Sequence, residues 1–323
     1  MSEQQYSLNW AYAYGRPQVS ADFRSQPEDF FVDEQLGFEF SGSGEHVVLH
    51  VQKRGDNTDW LARQIARLAE VAPADVGYCG LKDRHAVTRQ WFSVYLPKGE
   101  EPDWEALNSD SVRVLAVDRH SRKLRRGSHQ ANRFKIVLRN LDGDLESLAQ
   151  RLPQIVEQGV PNYFGEQRFG REAGNLELAN RLLVEGQKIN NRLRRAMAMS
   201  AARSYLFNSV LSARVASGSW TQPVEGDPKG SSGPLWGRGR PLAQGPCLEL
   251  EDAVLAPMAG WRDGLEHVGL KQERRALQLL PEGFQWQLDD RQLTLSFSLP
   301  PGTYATAVLR ELSILRDMST VGM

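Results

Sequence analysis

The run "GYCGLKDRHAVTRQW", Gly77 to Trp91, places one carboxylate, Asp83, among Lys82, Arg84, His85 and Arg89 between two apolar segments. An aspartate in such a connection ordinarily caps a turn or a helix start. It becomes a reagent when a cation is held against it, because a nearby positive charge favours the carboxylate while burial opposes it. Carboxylates of this kind attack where a sugar's anomeric bond breaks through an oxocarbenium-like state. No second carboxylate stands at an obvious spacing from Asp83.

Basic residues gather in three further places. From Arg119 to Asn140 the chain carries Arg119, Arg122, Lys123, Arg125, Arg126, Arg133, Lys135 and Arg139 without one acid. Arg168 and Arg171 lie in "EQRFGR", and Arg192, Arg194 and Arg195 in "NNRLRR". A solvated surface would explain one such group. Three groups, two of them beside aromatic residues, fit RNA, since phosphates call for Lys and Arg and unstacked bases call for aromatic faces. A net charge of -1 and a pI near 6.6 confine any such contact to local patches.

Composition excludes other classes. A hydrophobic share of 41% and a charged share of 24% are ordinary for a soluble globular chain, and 323 residues suggest two domains or one large one. No apolar run approaches the roughly 18 residues of a membrane span. The start, "MSEQQYSLNWAYAYG", reads as neither signal nor transit peptide, so a cytoplasmic location is expected. Cys79 and Cys247 stand far apart outside any CxxC or Cys/His spacing, and the six histidines are scattered, so neither a disulfide framework nor a metal site is expected.

Several elements must position these residues. "PEDFFVDEQLGFEF" and "EHVVLHVQK" read as strands joined by the turn "SGSGE", with Val47, Leu49 and Val51 on one face. After "DNTD", "WLARQIARLAEV" puts Leu61, Ile65, Leu68 and Ala69 on one side of a helix. Asp83 then falls on a helix-to-strand connection leading into the strand "RQWFSVYLP". Phe134, Ile136 and Leu138 alternate with Arg133, Lys135 and Arg139, which predicts a strand with a basic face. A helix through Leu145, Leu148, Leu152 and Ile155 ends near Gly159, and "VPNYFGEQRFGREAGN" marks a domain junction. Two helical stretches follow. "VEGDPKGSSGPLWGRGRPLAQGP" reads as loop, "QLTLSFSLP" as a strand, and "TYATAVLRELSILRD" as a final helix.

"GLKDRHAVTRQW" resembles the catalytic motif of the TruD family of tRNA pseudouridine synthases. The same order of motifs continues through "PEDFFVDE", "ANRF", "VPNYFGEQRFG", "SAARSYLFN" and "LPPGTYATAVLREL", which together cover nearly the whole chain. The resemblance implies an α+β protein. Its pseudouridine synthase catalytic domain, residues 1–157 and 280–323, would have a central mixed, largely antiparallel sheet, with a smaller α/β TRUD domain inserted over 158–279. It implies isomerisation of uridine 13 of tRNA to pseudouridine, with no cofactor, no protein partner and a monomeric enzyme.

The resemblance also implies roles. Asp83 would be the nucleophile, attacking ribose C1′ or base C6, and Arg24 the basic residue that pairs with it. Phe30, Asn132, Phe134 and Tyr304 match positions lining the uridine pocket. Lys82 and His85 would meet substrate, or equally contact phosphate or solvent, and the basic groups themselves point to Arg122, Lys123, Arg125, Arg126, Arg168 and Arg171 as RNA-binding residues. One departure concerns the segment between Asp227 and Gly233, which is longer in family members. Two alternatives predict different behaviour: an N-glycosidic hydrolase acting on RNA or nucleosides would release free uracil, and a non-catalytic tRNA-binding or folding factor would not depend on Asp83.

Overall fold

The computed structural model describes residues 6–97 and 100–320. In chain order the elements are β1 (Val19–Phe23), β2 (Phe30–Gln35), β3 (His46–Arg54), α1 (Thr58–Leu68), β4 (Val76–Tyr78), β5 (Val87–Tyr95), β6 (Val112–His120) and β7 (Ala131–Gly143). Then come α2 (Leu145–Gln158), β8 (Val160–Pro161), α3 (Gly174–Leu183), α4 (Arg192–Ala216), β9 (Ser232–Leu235), α5 (Gly245–Leu255) and α6 (Ala259–Glu266). The chain closes with β10 (Glu273–Ala276), β11 (Gln278–Leu279), β12 (Glu282–Asp289), β13 (Gln292–Leu299), α7 (Ala305–Leu312) and β14 (Ile314–Asp317).

Backbone contacts divide these into two compact units. One comprises Gln18–Leu152, Pro281–Gly302 and Ser313–Met323, and the other Met1–Pro17, Pro153–Leu280 and Thr303–Leu312. Relative to the division expected at 157/158 and 279/280, Met1–Pro17 and Thr303–Leu312 fall with the middle of the chain.

The first unit is built on a ten-stranded sheet, ordered β12-β13-β7-β2-β5-β3-β6, with β1 beside β7, β14 beside β1 and β4 beside β5. β2 with β5 and β1 with β14 are parallel, and the other ladders are antiparallel. Sequence alternation sets which face is buried, because a strand's period is two. Val47, Leu49 and Val51 of β3 are fully buried and pack with Leu61 and Ile65 of α1. On β7, Phe134, Ile136 and Leu138 lie directly opposite Phe297, Leu295 and Leu293 of β13. Three matched apolar pairs on one face fix that register, since a slip by one residue would turn them all outward.

Several expectations change. The turn "SGSGE" links β2 and β3 in sequence, yet β5 lies between them in the sheet. The short strand β4 intervenes before Asp83, so Asp83 sits on a strand-to-strand connection rather than a helix-to-strand one. Gly77 makes β4 possible, because a Cβ there would fall on the Leu124 carbonyl oxygen. The final helix stops at Leu312, and Ile314–Asp317 pairs in parallel with β1, a short apolar run whose periodicity suits either structure.

The second unit is mainly helical. α4 runs through its core with Ala201, Ala202, Leu206, Phe207, Val210 and Leu211 fully buried. Two short antiparallel ladders, β8 with β11 and β9 with β10, accompany the helices. The Gly/Pro-rich stretch that reads as loop therefore contains β9, and α5 and α6 follow it. The short segment after Asp227 closes on itself, with the Asp227 carboxylate accepting from the Ser232 N–H at 2.9 Å and from its hydroxyl at 2.5 Å. Arg274 and Glu251, both buried, pair at 2.5 Å beside it.

Candidate active site

The connection carrying Asp83 is pinned from below. Lys53, fully buried on β3, donates to the Asp83 carbonyl at 3.0 Å and to the Asp56 carbonyl at 2.7 Å. Burial pushes its ammonium down to about 8, against the pull of the Asp83 and Asp56 carboxylates. Thr58, at the start of α1, accepts from the Lys82 N–H at 3.0 Å and donates to Gln90 at 2.9 Å. These bonds hold the backbone on either side of Asp83.

The Asp83 side chain divides its two oxygens. Oδ1 accepts from the His85 N–H at 2.9 Å, a local turn bond of the kind aspartate favours. Oδ2 meets Arg24 Nη1 at 2.5 Å. The Asp83 side chain is 26% exposed, so it reaches solvent while its partner Arg24, 9% exposed, is nearly enclosed. Arg24 follows β1 in a left-handed conformation, φ 57°, which side-chain-bearing residues adopt at a cost of order 1 kcal/mol or more. That turn aims its guanidinium at the Asp83 connection.

Arg24 holds a second carboxylate. Its Nε donates to Asp317 Oδ1 at 3.2 Å and its Nη2 pairs with Asp317 Oδ2. Burial raises the Asp317 carboxyl, but the Arg24 guanidinium and the Ser319 donors outweigh it and hold the group below the usual carboxylate range. The parallel pairing of β14 with β1 sets Asp317 opposite Phe23, one residue before Arg24. Sequence reasoning misses Asp317 because it falls inside an expected helix.

Aromatic residues continue from this group. The Arg24 guanidinium lies 4.9 Å from the Phe23 ring, Phe23 meets Phe30 edge-on at 5.3 Å, and Phe30 lies 6.0 Å from Phe134 on the adjacent strand. Lys82 points elsewhere. Its side chain is 6% exposed, and its ammonium sits 2.5 Å from Glu34 and 2.6 Å from Asn132 Oδ1. Asn132 Nδ2 in turn faces His129 Nε2 at 3.1 Å. His85 is half-buried and gives Asp83 its backbone N–H.

Glu34, Cys79 and His129 bring three possible metal-ligand atoms within 4.8 Å of one another. Their chemistry suits a different cation. Glu34 already holds the Lys82 ammonium, and burial, followed by the Glu34 charge, pushes the Cys79 thiol up to about 11, away from the thiolate a metal requires.

The basic stretch between β6 and β7 is tied to this region by Leu124, which is buried and whose N–H donates to Ser93 Oγ at 2.9 Å. Gly127 N–H donates to the Cys79 carbonyl at 2.8 Å, where the Asp83 connection begins. Arg122, Arg125 and Arg126 are exposed and Lys123 is half-buried. Arg126 also lies over the Tyr78 ring at 5.7 Å.

Tyr304, Arg168 and Arg171 belong to the other unit. Arg168 donates to the Tyr304 hydroxyl and to Ser200 Oγ, and its guanidinium lies 5.6 Å from the Phe164 ring. Phe164 meets Tyr304 at 6.0 Å. Arg171 is 94% exposed.

The family model for tRNA pseudouridine synthase D (TruD) matches residues 9–190 and 230–312. A tRNA pseudouridine synthase D from Cellvibrio japonicus is 51% identical over 319 residues, spanning 97% of this chain and 95% of its own. A protein of the same name from Methylococcus capsulatus is 49% identical over 328 residues, with 93% of each chain covered. Among solved structures, a protein from Methanosarcina mazei designated TruD superposes with a TM-score of 0.70 over 94% of this chain and 95% of its own, at 21% identity, a likeness of fold. The α+β fold with its mixed, largely antiparallel sheet is that of a pseudouridine synthase of this type. The chain belongs to the TruD family.

Proposed function

We propose that this protein isomerises uridine 13 of tRNA to pseudouridine, with Asp83 as the nucleophile and Arg24 as the cation that holds it. Membership of a family of tRNA pseudouridine synthases gives the reaction class. The observation that supports the residue assignment is the pairing of Asp83 Oδ2 with Arg24 on a connection whose backbone is pinned by Lys53 and Thr58.

A uridine inside folded tRNA must leave its stack, at a cost of a few kcal/mol, and aromatic walls return roughly 1–3 kcal/mol per stacked base. Phe30 and Phe134 are the proposed walls, and Asn132 reads the uracil edge. Asp83 attacks C1′ or C6. The N1–C1′ bond breaks, the base turns, C5 bonds to C1′, the C5 proton leaves, N1 gains a proton, and the aspartate is released unchanged. Atoms and electrons balance within the nucleotide, so no cofactor is needed. The basic stretch Arg122–Arg126, together with Arg168 and Arg171, binds RNA phosphate.

Residues 1–157 and 280–323 form the catalytic domain in this account, and 158–279 the inserted domain. The enzyme acts as a cytoplasmic monomer. Among the described residues no helix is long and apolar enough to cross a membrane. Incubation with unmodified tRNA, followed by mapping of the product, tests the reaction. An isomer of unchanged mass at position 13 is expected. Free uracil would establish the hydrolase alternative, and unaltered tRNA would favour the binding factor.

A further inference from the structure

Lys82, expected from sequence to meet substrate, has its ammonium paired ionically with Glu34 Oε2 and donating to Asn132 Oδ1. An ammonium has donors only, so Asn132 must turn its carbonyl oxygen, not its NH2, toward Lys82. The NH2 then points at His129 Nε2, 3.1 Å away, which can accept only as the neutral tautomer protonated at Nδ1, a buried atom that has no hydrogen-bond partner of its own. Burial, and then the Lys82 charge, push the His129 imidazole below the usual histidine range, which keeps that acceptor available.

Both ends of the Asn132 amide are thus specified. A flipped amide would set NH2 against the ammonium and leave the His129 lone pair facing an oxygen, and buried polar groups mismatched in this way are costly. The framework behind the contacts is rigid. Sheet register places Glu34 of β2 directly opposite Asn132 of β7, and Glu34 also accepts from the Trp91 N–H at 3.2 Å. Lys82 arrives from the connection that carries Asp83.

Uracil offers an N3–H donor flanked by two carbonyl oxygens. Cytosine in the same pose offers an N3 acceptor and an amino donor. An asparagine free to turn over pairs with either, and one held in a single orientation does not. We propose that Glu34, Lys82 and His129 lock the Asn132 amide so that the pocket accepts uracil and rejects cytosine at the target position. This rests on the placement of Asn132 in the uridine pocket. It makes Lys82 and Glu34 positioning residues that act through Asn132.

The test is competition binding of two tRNA transcripts that differ only by uridine or cytidine at the target position. Asp83→Asn protein serves as parent, so that turnover does not interfere. Lys82→Gln, whose amide can accept as well as donate, is expected to cut the uridine preference by about tenfold, the size of a bidentate base contact. Lys82→Arg, with donors only, is expected to keep it. Glu34→Gln gives the same readout, with a smaller loss, if Lys82→Gln does not fold. A parent without preference, or a Lys82→Gln variant that weakens both transcripts equally, would overturn the lock. Absence of pseudouridine in the wild-type assay, with the uridine preference intact, would instead sink the proposed reaction and leave the lock standing.

Discussion

Arg24 stands between two carboxylates, and the balance of charge explains its placement. One guanidinium serves Asp83 through Nη1 and Asp317 through Nε and Nη2, and its planar fork suits that geometry as a lysine would not. Arg24→Met should lower kcat by roughly a hundredfold, the cost of a misplaced reacting group, while tRNA affinity changes little. A loss confined to KM would contradict the positioning role. Asp317 adds a pH signature. Its folded value lies below the ordinary 3.8, so its contribution to stability is present above about pH 4 and is lost as pH falls through the lower folded value. The stability gap between wild type and Asp317→Asn, read by urea unfolding, should therefore close on acidification, and a gap that does not vary with pH would contradict this. The pattern "GLKDRHAVTRQW" points to Asp83. Nothing local points to Asp317, because its partner is far away in sequence and its own strand resembles the end of a helix.

Among the elements, β3 serves both fold and site. Its alternation is legible in the sequence because Val47, Leu49 and Val51 face one core, and the apolar face that β7 turns to β13 is legible in the same way. What alternation cannot give is strand order. β5 enters between β2 and β3 through its parallel pairing with the distant β2, and β4, only three residues long, intervenes before Asp83 by pairing with the next strand, β5. Lys53 shares the parity of Val47, Leu49 and Val51 and is fully buried, bonded to the Asp83 connection. Its folded value, about 8, lies below the ordinary 10.5, so the unfolded chain binds more protons between those limits and stability should rise with pH there. Relative to Lys53→Met, the wild type should gain stability from about pH 8 to about pH 10, and an unchanged difference would mean that Lys53 is solvated.

At the scale of the molecule, a net charge of -1 coexists with binding to a polyanion only if positive charge is concentrated. The stretch Arg122–Arg126 is a local concentration of this kind, tethered at Leu124 and Gly127 to the strands and connection around Asp83. Replacing Arg122, Lys123, Arg125 and Arg126 with alanine should weaken tRNA binding and flatten its dependence on log salt concentration by roughly 0.7–0.9 for each phosphate no longer neutralised. An unchanged slope would show that this stretch faces bulk solvent. Above these details stands the assignment of one carboxylate to the chemistry. The most direct measurement is pseudouridine formation in tRNA by Asp83→Asn protein, with tRNA affinity measured in parallel. The account predicts no detectable product and near wild-type affinity, and retained turnover would contradict it.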